Sequence, residues 1–105
     1  MQVVVANRGE VAVRVVRTAR ERGWRTLAMH TAEERDALHV RLADDAVALP
    51  GVGAAAYLDV AAVVAAARKA GPGALVHPGY GFLSESAEFA TACAVAALVF
   101  VGPSA

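Results

Sequence analysis

QVVVANRGEVAVRVVRTARERGWRTLAMH, residues 2–30, holds two short apolar runs with a segment of a different period between them. Residues 2–6 and 25–30 are apolar almost without a break, which suits strands buried on both faces. Between them Val11, Ala12, Val15, Val16 and Ala19 recur at helical spacing, and Arg14, Arg17, Glu21 and Arg22 interrupt them. Gly23 supplies the stop, so the pattern predicts a helix over residues 10–22. A strand, a helix and a second strand in that order make a parallel pair, because parallel neighbours need a crossover.

The rest of the chain repeats the alternation. Further strands are predicted at residues 46–49, 74–77 and 98–101. Asp59 can cap a helix over residues 60–70, with Arg68 and Lys69 in its last turn and Gly71 beyond. Another helix starts at Ser84 or Ser86 and runs to about residue 97, and residues 36–42 allow a shorter one. This order predicts an α/β fold, a Rossmann-like open parallel sheet of about five strands with helices on both faces. Ligands of such sheets bind beyond the carboxyl ends of the strands, so function is to be sought in residues 7–10, 30–35 and 78–86. Residues 50–56, PGVGAAA, read as a flexible connection. A chain of 105 residues predicts a single domain over residues 1–105.

Composition narrows the class. With 57% hydrophobic residues the chain is not disordered, and its small side chains, Ala and Val above all, leave aromatics at 6%. The longest apolar run, residues 92–101, is shorter than the roughly 18 to 20 residues that cross a bilayer, and the start lacks the pattern of a signal peptide. These features predict a cytoplasmic protein. A formal net charge of zero offers nothing global to nucleic acid or to an anionic membrane, so neither is an expected partner. Cys93 is the single cysteine, which excludes an intrachain disulfide and a cysteine-based zinc site.

Two loops carry chemistry. Asn7, Arg8, Gly9 and Glu10 follow the first strand with one glycine where a dinucleotide-binding fingerprint needs three, so they read as a structural turn, with Arg8 paired to Glu10 or to another carboxylate at the sheet edge. In HPGYGFLSE, residues 77–85, Gly79 and Gly81 bare the backbone on both sides of Tyr80 just before a helix start. The loop is either a small-molecule contact or a rigid turn with Tyr80 and Phe82 packed downward. His77, closing a buried strand before Pro78, reads as held structurally by a backbone partner. Ser84 lacks the setting of a nucleophile, and Cys93 reads as a small core residue. His30 and His39 have no companions at ligand spacing, so no metal site is expected. Arg8, Arg14, Arg17, Arg20, Arg22 and Arg25 outweigh Glu10 and Glu21, and the stripe of Arg14, Arg17 and Glu21 is either a solvated helix face or a subunit contact.

Together ANRGE, RDALHVRLADDAV, AAYLDV, HPGYGFLSESAEFATAC and the closing FVGPSA resemble, in order and over nearly the whole chain, the N-terminal domain of biotin carboxylase in the biotin-dependent carboxylases. The resemblance implies a pre-ATP-grasp domain that precedes an ATP-grasp domain binding ATP with magnesium or manganese. In that family bicarbonate is phosphorylated to carboxyphosphate, which breaks down to CO₂ and phosphate, and the deprotonated ureido nitrogen of biotin takes up the CO₂. The groups that handle ATP, metal and bicarbonate lie downstream in the family's pattern and have no counterpart in these residues, so the chain alone is expected to be inactive.

Carried over residue by residue, the family's biotin contacts fall on Tyr80 and Gly81, and its dimer contacts on Arg17 and Glu21, whose partners would lie in the C-terminal region. The implied partners are the rest of the biotin carboxylase, a second copy in a homodimer, the biotin carboxyl carrier domain and the carboxyltransferase that selects the acyl-CoA or pyruvate acceptor. The chain departs from the family at Ala94, Val95, Ala96 and Ala97, where polar residues and a glycine are usual, at the turn Gly71, Pro72 and Gly73, and at Glu33 and Glu34, where Ala and Asp are common. The apolar Ala94 to Ala97 stretch also fits a different class, a non-catalytic, free-standing interaction module derived from a truncated carboxylase. An independent nucleotide-binding domain is a third reading.

Overall fold

Val3 and Val5 face one side of the sheet and Val4 and Ala6 the other, and all four are buried in the computed structural model, which describes residues 1–101. That alternation on a strand with no exposed face sets up a three-layer architecture. The elements are β1 (Gln2–Val5), α1 (Gly9–Glu21), β2 (Arg25–His30), α2 (Leu38–Leu42), β3 (Asp45–Ala48), α3 (Val60–Ala67), β4 (Leu75–His77), α4 (Ala87–Val95) and β5 (Val99–Phe100). Short 3₁₀ turns occupy Ala32–Glu34, Ala54–Leu58 and Arg68–Ala70. The strands lie in the order β3-β2-β1-β4-β5, every pair parallel, with Val4 opposite both Leu27 and Val76.

Each face has its own core. On one, Ala12, Val16 and Ala19 of α1 pack on Val3 and Val5, with Trp24 and Leu42 at the margin. On the other, Val63, Ala66 and Ala67 of α3 and Phe89 and Cys93 of α4 cover Val4, Leu27, Met29 and Val76. The rings of Phe89 and Phe100 meet edge to face with centroids 5.6 Å apart, so one aromatic pair fills volume that small side chains leave. Burying each such side chain contributes about 1.5 to 3 kcal/mol. Across the sheet edge the Arg25 guanidinium meets Asp45 at 2.8 Å, and Thr26 N–H donates to Asp44 at 2.8 Å, which pins the start of β3 to β2.

The sequence expectations hold in order and type. The α/β class, the five parallel strands and helices on both faces are all present. The differences lie at the ends. The helix expected over residues 60–70 is α-helical only to Ala67, after which Arg68–Ala70 tighten into a 3₁₀ turn. Ser86, not Ser84, caps α4, accepting from Phe89 N–H at 3.1 Å. The fifth strand shrinks to Val99–Phe100, and the short helix to Leu38–Leu42. Within the connection at residues 50–56, Gly53 N–H donates to Glu33 at 2.6 Å and the Ala54–Leu58 turn begins, so that loop is anchored. The turn at Gly102 and Pro103 lies outside the described residues. No helix among the described residues is long and apolar enough to cross a membrane.

Two helices end in the same motif with different residues. After α1, Gly23 N–H donates to Arg20 and Trp24 N–H to Ala19, with Gly23 at φ +75°. After α4, Ala97 N–H donates to Ala94 and Leu98 N–H to Cys93, with Ala97 at φ +62°. The left-handed position costs a side-chain-bearing residue about 1 kcal/mol more than glycine. Ala97→Gly is therefore expected to stabilise the domain by about 1 kcal/mol, and Gly23→Ala, with open space around its Cβ, to destabilise it by a similar amount, both read by urea unfolding.

Candidate functional site

At the carboxyl end of β1 the chain splits its attention. Asn7 turns toward the loop after β4, and its neighbour Arg8 turns toward the loops after β2 and β3. This is the topological switch point, where connections leave to opposite sides of β1 and open a crevice above the sheet.

The β4 side is built on the Asn7 amide. Buried to 2% exposure, it donates through Nδ2 to the carbonyls of Pro78 at 2.6 Å and Tyr80 at 2.8 Å, while its Oδ1 accepts Arg8 N–H at 2.7 Å. The orientation is unambiguous, since two carbonyls can only accept. Gly79 lies between the two bonded carbonyls at φ +67°, and a Cβ there would sit 2.5 Å from Val11 Cγ1 and 2.9 Å from Asn7 Nδ2. Glycine is required here for conformation and for space. His77 Nδ1 accepts Gly79 N–H at 3.1 Å, and burial pushes the imidazole pKa below its ordinary value, so this ring is neutral at pH 7 with its proton on Nε2.

Tyr80 itself is 75% exposed, at one end of an open, largely apolar groove of about 460 Å³ that follows α1 past Val15 to Trp24, with Leu75 and Val101 on its sheet side. Gly81 is exposed beside it at φ +68°. Tyr80 therefore does not pack downward, whereas Phe82, at φ +47°, does: its ring lies 5.5 Å from that of Tyr57.

The β2 side centres on an ion pair. Arg8 reaches Glu34, not Glu10, and its guanidinium lies 5.9 Å from the centroid of the Tyr57 ring. Glu34 also accepts from the Tyr57 hydroxyl at 2.9 Å and from Thr31 Oγ1 at 3.4 Å. Partial burial pushes the Glu34 carboxyl up, but hydrogen bonds from Tyr57, Arg8 and Thr31 and the charge of Arg8 outweigh it and hold the pKa below the ordinary glutamate value. Burial and the facing Glu34 push the Tyr57 hydroxyl up, so it donates and stays neutral. Sequence reasoning missed Glu34 and Tyr57. The signal was present in the buried tyrosine, whose hydroxyl demands a partner.

The remaining candidates stand apart from this crevice. Gly9 and Glu10 are exposed at the start of α1, and Arg17 and Glu21 are exposed on its outer face, in no ion pair among the described residues. His30 and His39 are buried, with His39 Nε2 on the Met29 carbonyl at 2.9 Å and His30 Nδ1 on that of Thr31 at 2.8 Å. Burial pushes the Cys93 thiol up to about 11, the opposite of an activated thiolate. Among the described residues no three His, Cys, Asp or Glu side chains group where a metal ion could be held.

A doubly wound parallel sheet with its crevice at the switch point is the architecture of a ligand-binding α/β domain. Over residues 1–105 the sequence matches the family model "Biotin carboxylase, N-terminal domain", and the chain belongs to that family. It is 53% identical over 103 residues to methylcrotonoyl-CoA carboxylase subunit alpha, mitochondrial, of Oryza sativa, covering 97% of this chain and 14% of the relative. With the biotin carboxylase of Haemophilus influenzae it shares 46% over 105 residues, 99% of this chain and 23% of that one. The solved biotin carboxylase domain dimer of Hydrogenobacter thermophilus 2-oxoglutarate carboxylase, in complex with MgADP, ADP and bicarbonate, superposes with a TM-score of 0.88 at 41% identity, covering 98% of this chain and 22% of that one. The chain thus spans less than a quarter of the length of these relatives.

The ion pair makes the fold pH-sensitive in a defined direction. Because the folded carboxyl titrates below its unfolded value, its contribution is present above the unfolded pKa and is lost as the pH falls through the folded one. Glu34→Gln is expected to cost about 1 to 2 kcal/mol near neutrality, and the gap to the parent to close on acidification, measured by urea unfolding across a pH series.

Proposed function

We propose that this chain acts as the N-terminal domain of a biotin carboxylase, in an ATP- and bicarbonate-dependent carboxylation of biotin. Tyr80 and Gly81 form one wall of the biotin pocket. The single observation that supports this most is the exposed Tyr80 ring, presented at the end of the groove along α1 on a loop whose backbone is tied down. A flat ring with a polar tip, flanked by two glycines, suits a small bicyclic ligand that has both an apolar and a hydrogen-bonding edge.

ATP with magnesium or manganese binds on this reading to an ATP-grasp region outside these residues, and the 105 residues alone do not turn over. Arg17 and Glu21, exposed one helical turn apart, contribute to a homodimer interface. The carboxyl carrier domain delivers biotin, and a carboxyltransferase uses the product. Placement in the cytoplasm belongs to the same reading, although the rice relative is mitochondrial by name.

A chimaera tests it, with these 105 residues replacing the matching part of the Haemophilus influenzae enzyme. The chimaera is expected to cleave ATP in a bicarbonate- and biotin-dependent manner, and Tyr80→Ala to raise the KM for free biotin about tenfold or more. Sustained turnover by the 105-residue chain alone, or an unchanged biotin KM in Tyr80→Ala, overturns the proposal. Reversing charge at Arg17 and Glu21 separately is expected to weaken dimerisation at least roughly tenfold in sedimentation velocity.

A further inference from the structure

We infer that Asn7 is a positioning residue for biotin, acting through the loop that presents Tyr80 and Gly81; this rests on the biotin reading of that loop. The ring of Tyr80 is 75% exposed, so packing of the ring does not set its direction. Gly79 and Gly81, on either side, are the residues with the least intrinsic conformational preference. What holds the segment is its backbone: His77 Nδ1 accepts Gly79 N–H, and the two long-range bonds come from one side chain, Asn7 Nδ2, which spans Gly79 to bond the carbonyls of Pro78 and Tyr80.

The anchor is rigid. Asn7 is 2% exposed and directly follows β1, the central strand, whose Val4 and Val5 have no exposed surface. Its Oδ1 is taken by Arg8 N–H, which fixes the amide plane. Every polar atom of the side chain is committed, two donors to the loop and one acceptor to its own turn. Few side chains meet that demand. Asp keeps the acceptor and loses both donors, Ser and Thr have a single donor, and Gln is one methylene longer in a site where Gly79 already packs without clearance. Asn7 touches no ligand on this account; it fixes where Tyr80 and Gly81 stand.

Asn7→Asp isolates the donors, because shape and the bond from Arg8 N–H survive while a carboxylate faces two carbonyl oxygens. In the chimaera it is expected to raise the KM for free biotin about tenfold, with the KM for ATP within about twofold of the parent. Burial against those oxygens raises the new carboxyl's pKa, and once protonated it donates again. In the 105-residue chain the Tyr80 and Gly81 amide resonances of the variant are therefore expected to move back toward the parent's recorded at the same pH, as the pH falls from about 8 to about 5, the protonation of His77 beside Gly79 being common to both. A purely structural role would shift resonances throughout the domain and show no such local recovery.

An unchanged biotin KM in Asn7→Asp, where Tyr80→Ala raises it, overturns this inference alone; an unchanged KM in Tyr80→Ala overturns the biotin reading and the inference with it. If Asn7→Asp does not fold, Gly79→Ala decides, since its Cβ would push the loop off the amide while leaving both donors in place. A folded Gly79→Ala with a raised biotin KM and a parental ATP KM supports the inference, and a parental biotin KM overturns it.

Discussion

The Asn7 side-chain amide is the constraint on which the crevice depends. Two strands, β1 and β4, end side by side at the switch point, and their loops would otherwise diverge to opposite faces of the sheet. Two hydrogen bonds from one buried amide tie the second loop to the first across more than seventy residues of sequence. Buried polar groups of this kind are costly when unsatisfied, so a fully partnered one specifies a single loop geometry more sharply than apolar packing can. Gly79 is the complement: the amide can reach both carbonyls only because no Cβ stands in the way.

Arg8 performs the corresponding task on the other side. Its guanidinium meets Glu34 and lies over Tyr57, joining the turn after β1 to the 3₁₀ turns after β2 and β3. Glu34 gains three kinds of partner, and together they outweigh its partial desolvation. Adjacent residues in sequence thus fasten the two halves of the crevice rim, one with neutral amide bonds and one with charge. The difference has a chemical consequence, because acid removes the charge on which the Arg8 side depends, while the two Asn7 amide bonds carry no titrating group.

Small side chains set the remainder of the architecture. Ala and Val pack α1 and α3 onto the sheet, and Phe89, Phe100 and Tyr57 supply the volume that these cannot. At Ala97 the same tendency carries a cost, since a residue with a side chain occupies the left-handed position that Gly23 fills after α1. Val95, 85% exposed nearby, leaves an apolar tip on α4. Nothing in the domain's own packing requires either choice.

Hydrophobic periodicity alone determined the order of elements, the parallel sheet and the two buried faces, because burial on both sides of β1 is written in consecutive residues. Helix ends were legible for the same local reason: Gly23, which stops α1, and Asp59, which caps the start of α3, act on neighbours a few positions away. The resemblance to biotin carboxylase marked Tyr80 and Gly81 as positions of interest, while leaving their exposure open. Tertiary structure decided the rest. That Arg8 chooses Glu34 over Glu10, that the Tyr57 hydroxyl donates to Glu34, and that Asn7 grips the loop after β4 all depend on contacts between residues far apart in the chain. No periodicity encodes those pairings, since they exist only once the sheet has brought the carboxyl ends of β1, β2 and β4 to one edge.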